Sequence, residues 1–219
     1  ALGSYPLPFV LVALFVLLLR VEDRNAWRLA VLFAGFIAAA PLAELNVPPA
    51  FRGFSLAYKV AFDGLWPATF LYFFSVFPAS SPLDRRLPWL KTVWLAAGAT
   101  AALPLAAAAL VVGRRDALLA LGQSVVVPVG VVVRGYFFGG LGLGLLSLIT
   151  NATGGTALVQ RKSRVILWGM LAGFVPSFLL AAAGSYIGRD PYDFPFWVWA
   201  PCVMAMFLVG IAFYKLALS

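Results

Sequence analysis

The chain has 219 residues, of which 63% are hydrophobic and 11% charged, with a mean hydropathy of +0.97. No water-soluble packing hides that much apolar surface, so lipid is the expected solvent, and continuous apolar runs of about 20 residues exclude a β-barrel, whose strands alternate polar and apolar. The net charge of +8 and pI near 10.1 do not point to nucleic acid, because the basic residues sit in short turns between apolar runs and not along one amphipathic face.

The chain has no histidine and a single cysteine, Cys202 inside an apolar run, which reads as packing. An intrachain disulfide and the usual transition-metal ligand sets are thereby excluded, and nothing in the residues names a cofactor. The apolar run after Tyr5 has no basic segment before it and no small-residue cleavage site after it, so it does not read as a secretory signal. A chain that begins at Ala1 without Met and ends at Ser219 just past an apolar run is expected to be a membrane module of a longer protein.

Taken in order, helix one is expected over Tyr5–Leu19, ending at the turn Arg20-Val-Glu-Asp-Arg-Asn-Ala-Trp-Arg28. Helix two follows over Ala30–Leu45, closing near Pro41 and Glu44 before Asn46-Val-Pro-Pro-Ala-Phe-Arg-Gly53, where paired prolines cannot continue a helix. Helix three covers Ser55–Val76, and helix four Leu90–Val112 after the basic turn of residues 79–89. Ala117–Thr150 is too long for one perpendicular span. Either it is a tilted long helix, or an interfacial turn over Ala117–Gln123 precedes a span from Val125, and the second reading is preferred. Helix six is expected over Val165–Ala183 after the basic turn Gln160–Arg164, and helix seven over Phe194–Leu218 after the polar loop Gly184–Asp193.

Counting lysine and arginine in the turns orients these seven spans. Arg20, Arg24, Arg28, Arg85, Arg86, Lys91, Arg161, Lys162, Arg164 and Lys215 fall on one side, and Arg52, Lys59, Arg114, Arg115 and Arg189 on the other. The N-terminus is therefore expected outside and the C-terminus in the cytoplasm. Trp27, Trp89, Trp94 and Trp168 then belong to an inner belt and Trp197 and Trp199 to an outer one. The sequon Asn151-Ala-Thr153 falls on the cytoplasmic side and is not a glycosylation site.

Charges inside apolar spans are costly, roughly 2.5–3.5 kcal/mol each at mid-bilayer on insertion scales, so they call for partners. Lys59 and Asp63 stand four apart on helix three and share a face. Arg134, about ten residues inside helix five, is expected at comparable depth, giving one interior polar cluster open towards the outer half. Two readings stay open. One is a ligand pocket lined by Tyr58, Lys59, Asp63, Trp66, Arg134 and Tyr136, in which Trp66-Pro67 supplies an aromatic wall and a helix kink. The other is a structural ion-pair network that fixes helix register. Gly135-Tyr-Phe-Phe-Gly139, Gly140-Leu-Gly-Leu-Gly144 and Gly169-Met-Leu-Ala-Gly173 mark close helix approach, within the chain or in a homodimer.

Catalysis finds little footing in a chain without histidine whose buried carboxylate is Asp63, and no enzyme activity is expected within these residues. A retinal photoreceptor fits poorly, because Lys215 lies near the end of helix seven and not at its middle. No internal repeat relates the two halves as in many carriers.

Three stretches carry a family resemblance. Phe73-Phe-Ser-Val-Phe-Pro78 followed by Pro82-Leu-Asp-Arg-Arg-Leu-Pro-Trp89 resembles the FFxxFP, basic turn and LPW signature of bacterial seven-helix sensory modules, those attached to histidine kinase, diguanylate cyclase or PP2C-type serine phosphatase domains. Gln160-Arg-Lys-Ser-Arg-Val-Ile-Leu-Trp-Gly169 is similar to the opening of helix six in that family, and Ala212-Phe-Tyr-Lys-Leu-Ala-Leu218 to the segment leading to its output domain. Asn151-Ala-Thr-Gly-Gly155 departs from a more basic family stretch. The resemblance implies an all-α polytopic sensor or transducer of the bacterial cytoplasmic membrane, joined after Ser219 to a cytoplasmic effector. A small hydrophobic or anionic ligand and the lipid bilayer are its expected partners. Rival readings are a small seven-helix transporter or lipid carrier, and a structural anchor that dimerises an effector.

Overall fold

The computed structural model describes residues 7–38, 47–112 and 130–187, with 195, 197, 198 and 201 from the last stretch. The described residues are helical throughout, with no strand among them. They form α1 (Leu7–Leu19), α2 (Arg24–Ala38), a 3-10 turn (Pro49–Phe51), α3 (Arg52–Val76), α4 (Pro82–Arg86), α5 (Leu90–Val112), α6 (Gly130–Gly154) and α7 (Ala157–Tyr186). Most of the expected helix seven, the choice between a long helix and an interfacial turn before Val125, the end of helix two, Cys202 and Lys215 fall outside the described residues.

Leu90–Val111 in α5 and Gly135–Gly154 in α6 are long and apolar enough to cross a membrane, and Val10–Leu19 in α1 is apolar but shorter. At 1.5 Å per residue, the 13 residues of α1 span only about 20 Å, short of the roughly 30 Å of hydrocarbon. The longer α3 and α7, with 25 and 30 residues, carry Lys59 and Asp63 in one and Arg161, Lys162 and Arg164 in the other.

Three expected boundaries need correction, each because polar residues or prolines cap, open or continue helices where the sequence suggests a turn. α2 starts at Arg24, not Ala30, because Asp23 Oδ1 accepts the Asn25 amide at 2.8 Å and closes the first turn. The paired prolines open α3 instead of only ending α2, with Pro49 at the start of the 3-10 turn that leads into Arg52. Gln160–Arg164 is no turn but the beginning of α7. There Gln160 Nε2 donates to Thr153 O and Gly155 O, and Arg164 Nε to Ala152 O, so these side chains satisfy carbonyls that the end of α6 leaves unpaired. The basic turn before α5 likewise contains α4, capped by Ser81 Oγ accepting from the Asp84 amide. Only α5 has the expected bounds.

α3 is the central element, flanked by α2, α5 and α6, while α1 packs on α2 and α7 on α6. Apolar side chains from five helices, among them Val16, Phe33, Phe73, Phe74, Leu148 and Ile166, make one core, and Leu56, Ala57, Ala106 and Ala109 make a smaller one between α3 and α5. The directions follow from paired positions. Arg28 meets Tyr72 and Ala38 meets Lys59, so α2 and α3 are antiparallel. Gly64 meets Tyr136 and Ala79 meets Asn151, so α6 runs parallel to α3. That approach depends on Gly140, where a Cβ would stand 2.8 Å from Pro67 O, whereas Gly135 and Gly142 face open space.

Candidate functional site

Tyr58 and Lys59 leave α3 towards α2. The Tyr58 hydroxyl donates to Ala34 O at 2.7 Å and Lys59 Nζ to Ala38 O at 2.9 Å. Lys59 also lies 3.6 Å from Asp63 Oδ2, the i,i+4 pair expected from the spacing. The Asp63 side chain is 52% exposed, so the carboxylate stands at the surface of the bundle and not in the expected interior cluster. Lys59 and Asp63 share one face of α3; the Lys59 ammonium is drawn to Ala38 O on α2, and the Asp63 carboxylate one turn on stays at the rim.

Tyr136 works from the other side. Its hydroxyl donates to Gly64 O at 2.8 Å, Trp94 Nε1 donates to Tyr136 O at 3.1 Å, and the Trp94 and Tyr136 rings stack with centroids 5.9 Å apart. One tyrosine thereby joins α3, α5 and α6. Arg134 stands on the first turns of α6, two residues before Tyr136, and its side chain is outside the described residues.

Trp66 projects between helices. A Cβ on Gly35 would collide with its indole, so glycine at that position lets α2 lie against the ring. Its other neighbours are Phe70, at 6.1 Å between centroids, and Phe137, at 5.6 Å. Beside it an apolar cavity of about 240 Å³ opens between α3, α6 and α7, bounded by Trp66, Phe70, Leu141, Leu145, Leu167 and Met170. Of the expected ligand residues whose side chains are described, Trp66 alone lines this cavity. Tyr58, Lys59 and Tyr136 are instead bonded to backbone carbonyls of neighbouring helices, an arrangement that fixes helix register.

The sequence reading treated the basic turns as orientation marks and missed what they build. Residues of the first two basic stretches meet at one end of the bundle, and Arg164 of the third reaches Ala152 O, next to Asn151, there. The Arg28 guanidinium lies 5.6 Å and Lys91 Nζ 5.8 Å from the centroid of the Tyr72 ring, both within cation–π reach. Lys91 is paired with Asp84 at 2.6 Å, and Asn151 Nδ2 donates to Ala79 O at 2.9 Å. A second cavity, of about 260 Å³, opens there between α2, α3 and α5. The signal in the sequence was Tyr72, a polar aromatic within an otherwise apolar run at the foot of α3. No family model, curated protein or solved structure matches this chain.

Proposed function

We propose that residues 1–219 form the membrane sensor or transducer module of a bacterial signalling protein, a seven-helix bundle with its N-terminus outside and its C-terminus cytoplasmic. The observation that carries this reading is the folding of the resemblance motif itself. Phe73–Trp89 makes an elbow in which Ser81 N donates to Ser75 O, Ser81 caps α4, Asp84 holds Lys91, and Ala79 O receives Asn151 from α6. A motif used only as a connection has no need of bonds to three helices. One that passes movement from α3 to the cytoplasmic ends of α5 and α6 does.

Orientation is supported by the gathering of the basic turns at the elbow end, as a cytoplasmic face requires. In this reading, an outer or intramembrane signal shifts α3 against α2 and α6, whose hydrogen bonds from Tyr58, Lys59 and Tyr136 hold one packing. The stimulus acts by favouring a second packing, through contacts that differ between the two. The hydroxyl and ammonium clamps and Asp63 are the adjustable parts.

The test uses the full-length gene product in its native membrane, comparing output activity and folded yield for the wild type and for Asp63→Asn. A response that falls while yield holds supports the transducer. A vesicle flux that depends on Asp63 identifies a carrier, and unaltered signalling in Asp63→Asn and Tyr136→Phe together identifies an anchor.

A further inference from the structure

We infer that the groove between α2, α3 and α5 at the basic end is a binding site for an anionic phospholipid, with the phosphate held by Arg28 beside Tyr72 and Lys91, and an acyl chain running up the groove. The inference requires the bundle to lie in a membrane but not that it transduces a signal.

The groove is graded along its length. Arg28, Tyr72 and Lys91 lie at its mouth, while Val31, Thr69 and Leu95 follow about one helical turn deeper, with Phe73 on the wall. The volume of about 260 Å³ suits a stretch of hydrocarbon and not a bulky polar solute. Exposed Trp27 closes one side of the mouth, and its indole N–H is turned away to Val21 O at 2.7 Å, leaving its ring for the interface.

Charge at the mouth is unbalanced in the same sense. Two cations stand over one ring, and the Asp84 carboxylate is bonded to one of them, Lys91. Arg28 NH1 donates to Asn25 Oδ1 at 2.9 Å, a neutral acceptor that leaves the guanidinium charge uncompensated. Arg24, Arg85 and Arg86 are exposed at this end and add to the positive field. A guanidinium within cation–π reach of the ring keeps N–H donors for an incoming phosphate, the planar fork that suits oxyanions. An acyl groove that ends on such a fork matches a lipid with a charged headgroup, since free phosphate would have no use for the groove and a neutral lipid none for the fork.

The test is native mass spectrometry of the purified full chain, with phosphatidylglycerol and phosphatidylcholine offered at equal concentration. The wild type is expected to retain phosphatidylglycerol preferentially. Arg28→Gln should weaken that retention about tenfold, as for loss of one charge-assisted contact, and Arg28→Lys, which keeps the charge and loses the fork, should restore only part of it. Val31→Trp, which fills the groove and leaves the charges in place, should abolish it, and Arg161→Gln should leave it unchanged. Equal retention of the two lipids, wild-type retention by both Arg28→Gln and Val31→Trp, or full displacement by inorganic phosphate alone would overturn the proposal. If Arg28→Gln does not fold, Val31→Trp decides. Release of the wild type from membranes by alkaline carbonate would instead count against the membrane reading.

Discussion

Asn151 donates its side-chain amide to Ala79 O at 2.9 Å across 72 residues of chain, and joins the last turn of α6 to the elbow after α3. Asn151 is only 3% exposed, so no solvent is at hand to replace it. Asn151→Leu is expected to cost about 1–3 kcal/mol by leaving the Ala79 carbonyl unsatisfied. The check is thermal unfolding in detergent, where an unchanged midpoint would contradict the bond. The same burial means that the Asn151-Ala-Thr153 sequon should stay unmodified when the chain is made in a glycosylating host.

Tyr136→Phe removes the hydroxyl that reaches Gly64 O and keeps the ring stacked on Trp94. A loss of about 0.5–1.5 kcal/mol is expected, and Trp94 fluorescence should barely shift because the stack persists. Tyr136→Ala, which removes both, should cost more and move the emission.

The two faces of α6 should respond differently to added side chains. Gly140→Leu drives a Cβ towards Pro67 O and should cost about 1–3 kcal/mol by overpacking. Gly142→Ala meets nothing within 4 Å and should stabilise the helix by up to about 1 kcal/mol. Chemical denaturation of both variants side by side gives the comparison, and equal effects would mean that α6 does not approach α3 at Gly140.

Ser147 and Ser163 are fully buried, and neither hydroxyl has a hydrogen-bond partner among the described residues. Ser163→Ala is therefore expected to be neutral or stabilising by about 1 kcal/mol, since a desolvated hydroxyl without a partner is a cost to the fold. A clear drop in unfolding midpoint would reveal a bond to that oxygen.

Topology is open to single-cysteine labelling in a Cys202→Ser background. A membrane-impermeant maleimide should label Arg52→Cys in intact cells and Arg86→Cys only after lysis. The reverse pattern would invert the bundle.

The helical class was legible because continuous apolar runs leave no other means of satisfying backbone groups in lipid. α5 had its expected bounds because Pro88 and Gly113 stand just outside it. The start of α2 and of α7 was hidden by charge: Arg24, Arg28, Gln160 and Arg164 look like loop residues, yet Asp23 caps one helix, and Gln160 and Arg164 bond back to the end of α6. At the candidate site, the Lys59 and Asp63 pair followed from spacing within one helix. The bonds of Tyr58 and Tyr136 did not, because they depend on which carbonyl of another helix comes within 3 Å, a matter of crossing geometry and not of residue type.

The parallel course of α6 beside α3 sets an order of events during synthesis. Its acceptors at Gly64 and Ala79 are made long before it, and the antiparallel α5 must already have left the ribosome by the time α6 emerges. α2, α3 and α5 can therefore settle as an early unit through local neighbours, and α6 arrives as a late wedge carrying its own glycines. A chain truncated after Val112 would leave the side of α3 that receives α6 uncovered.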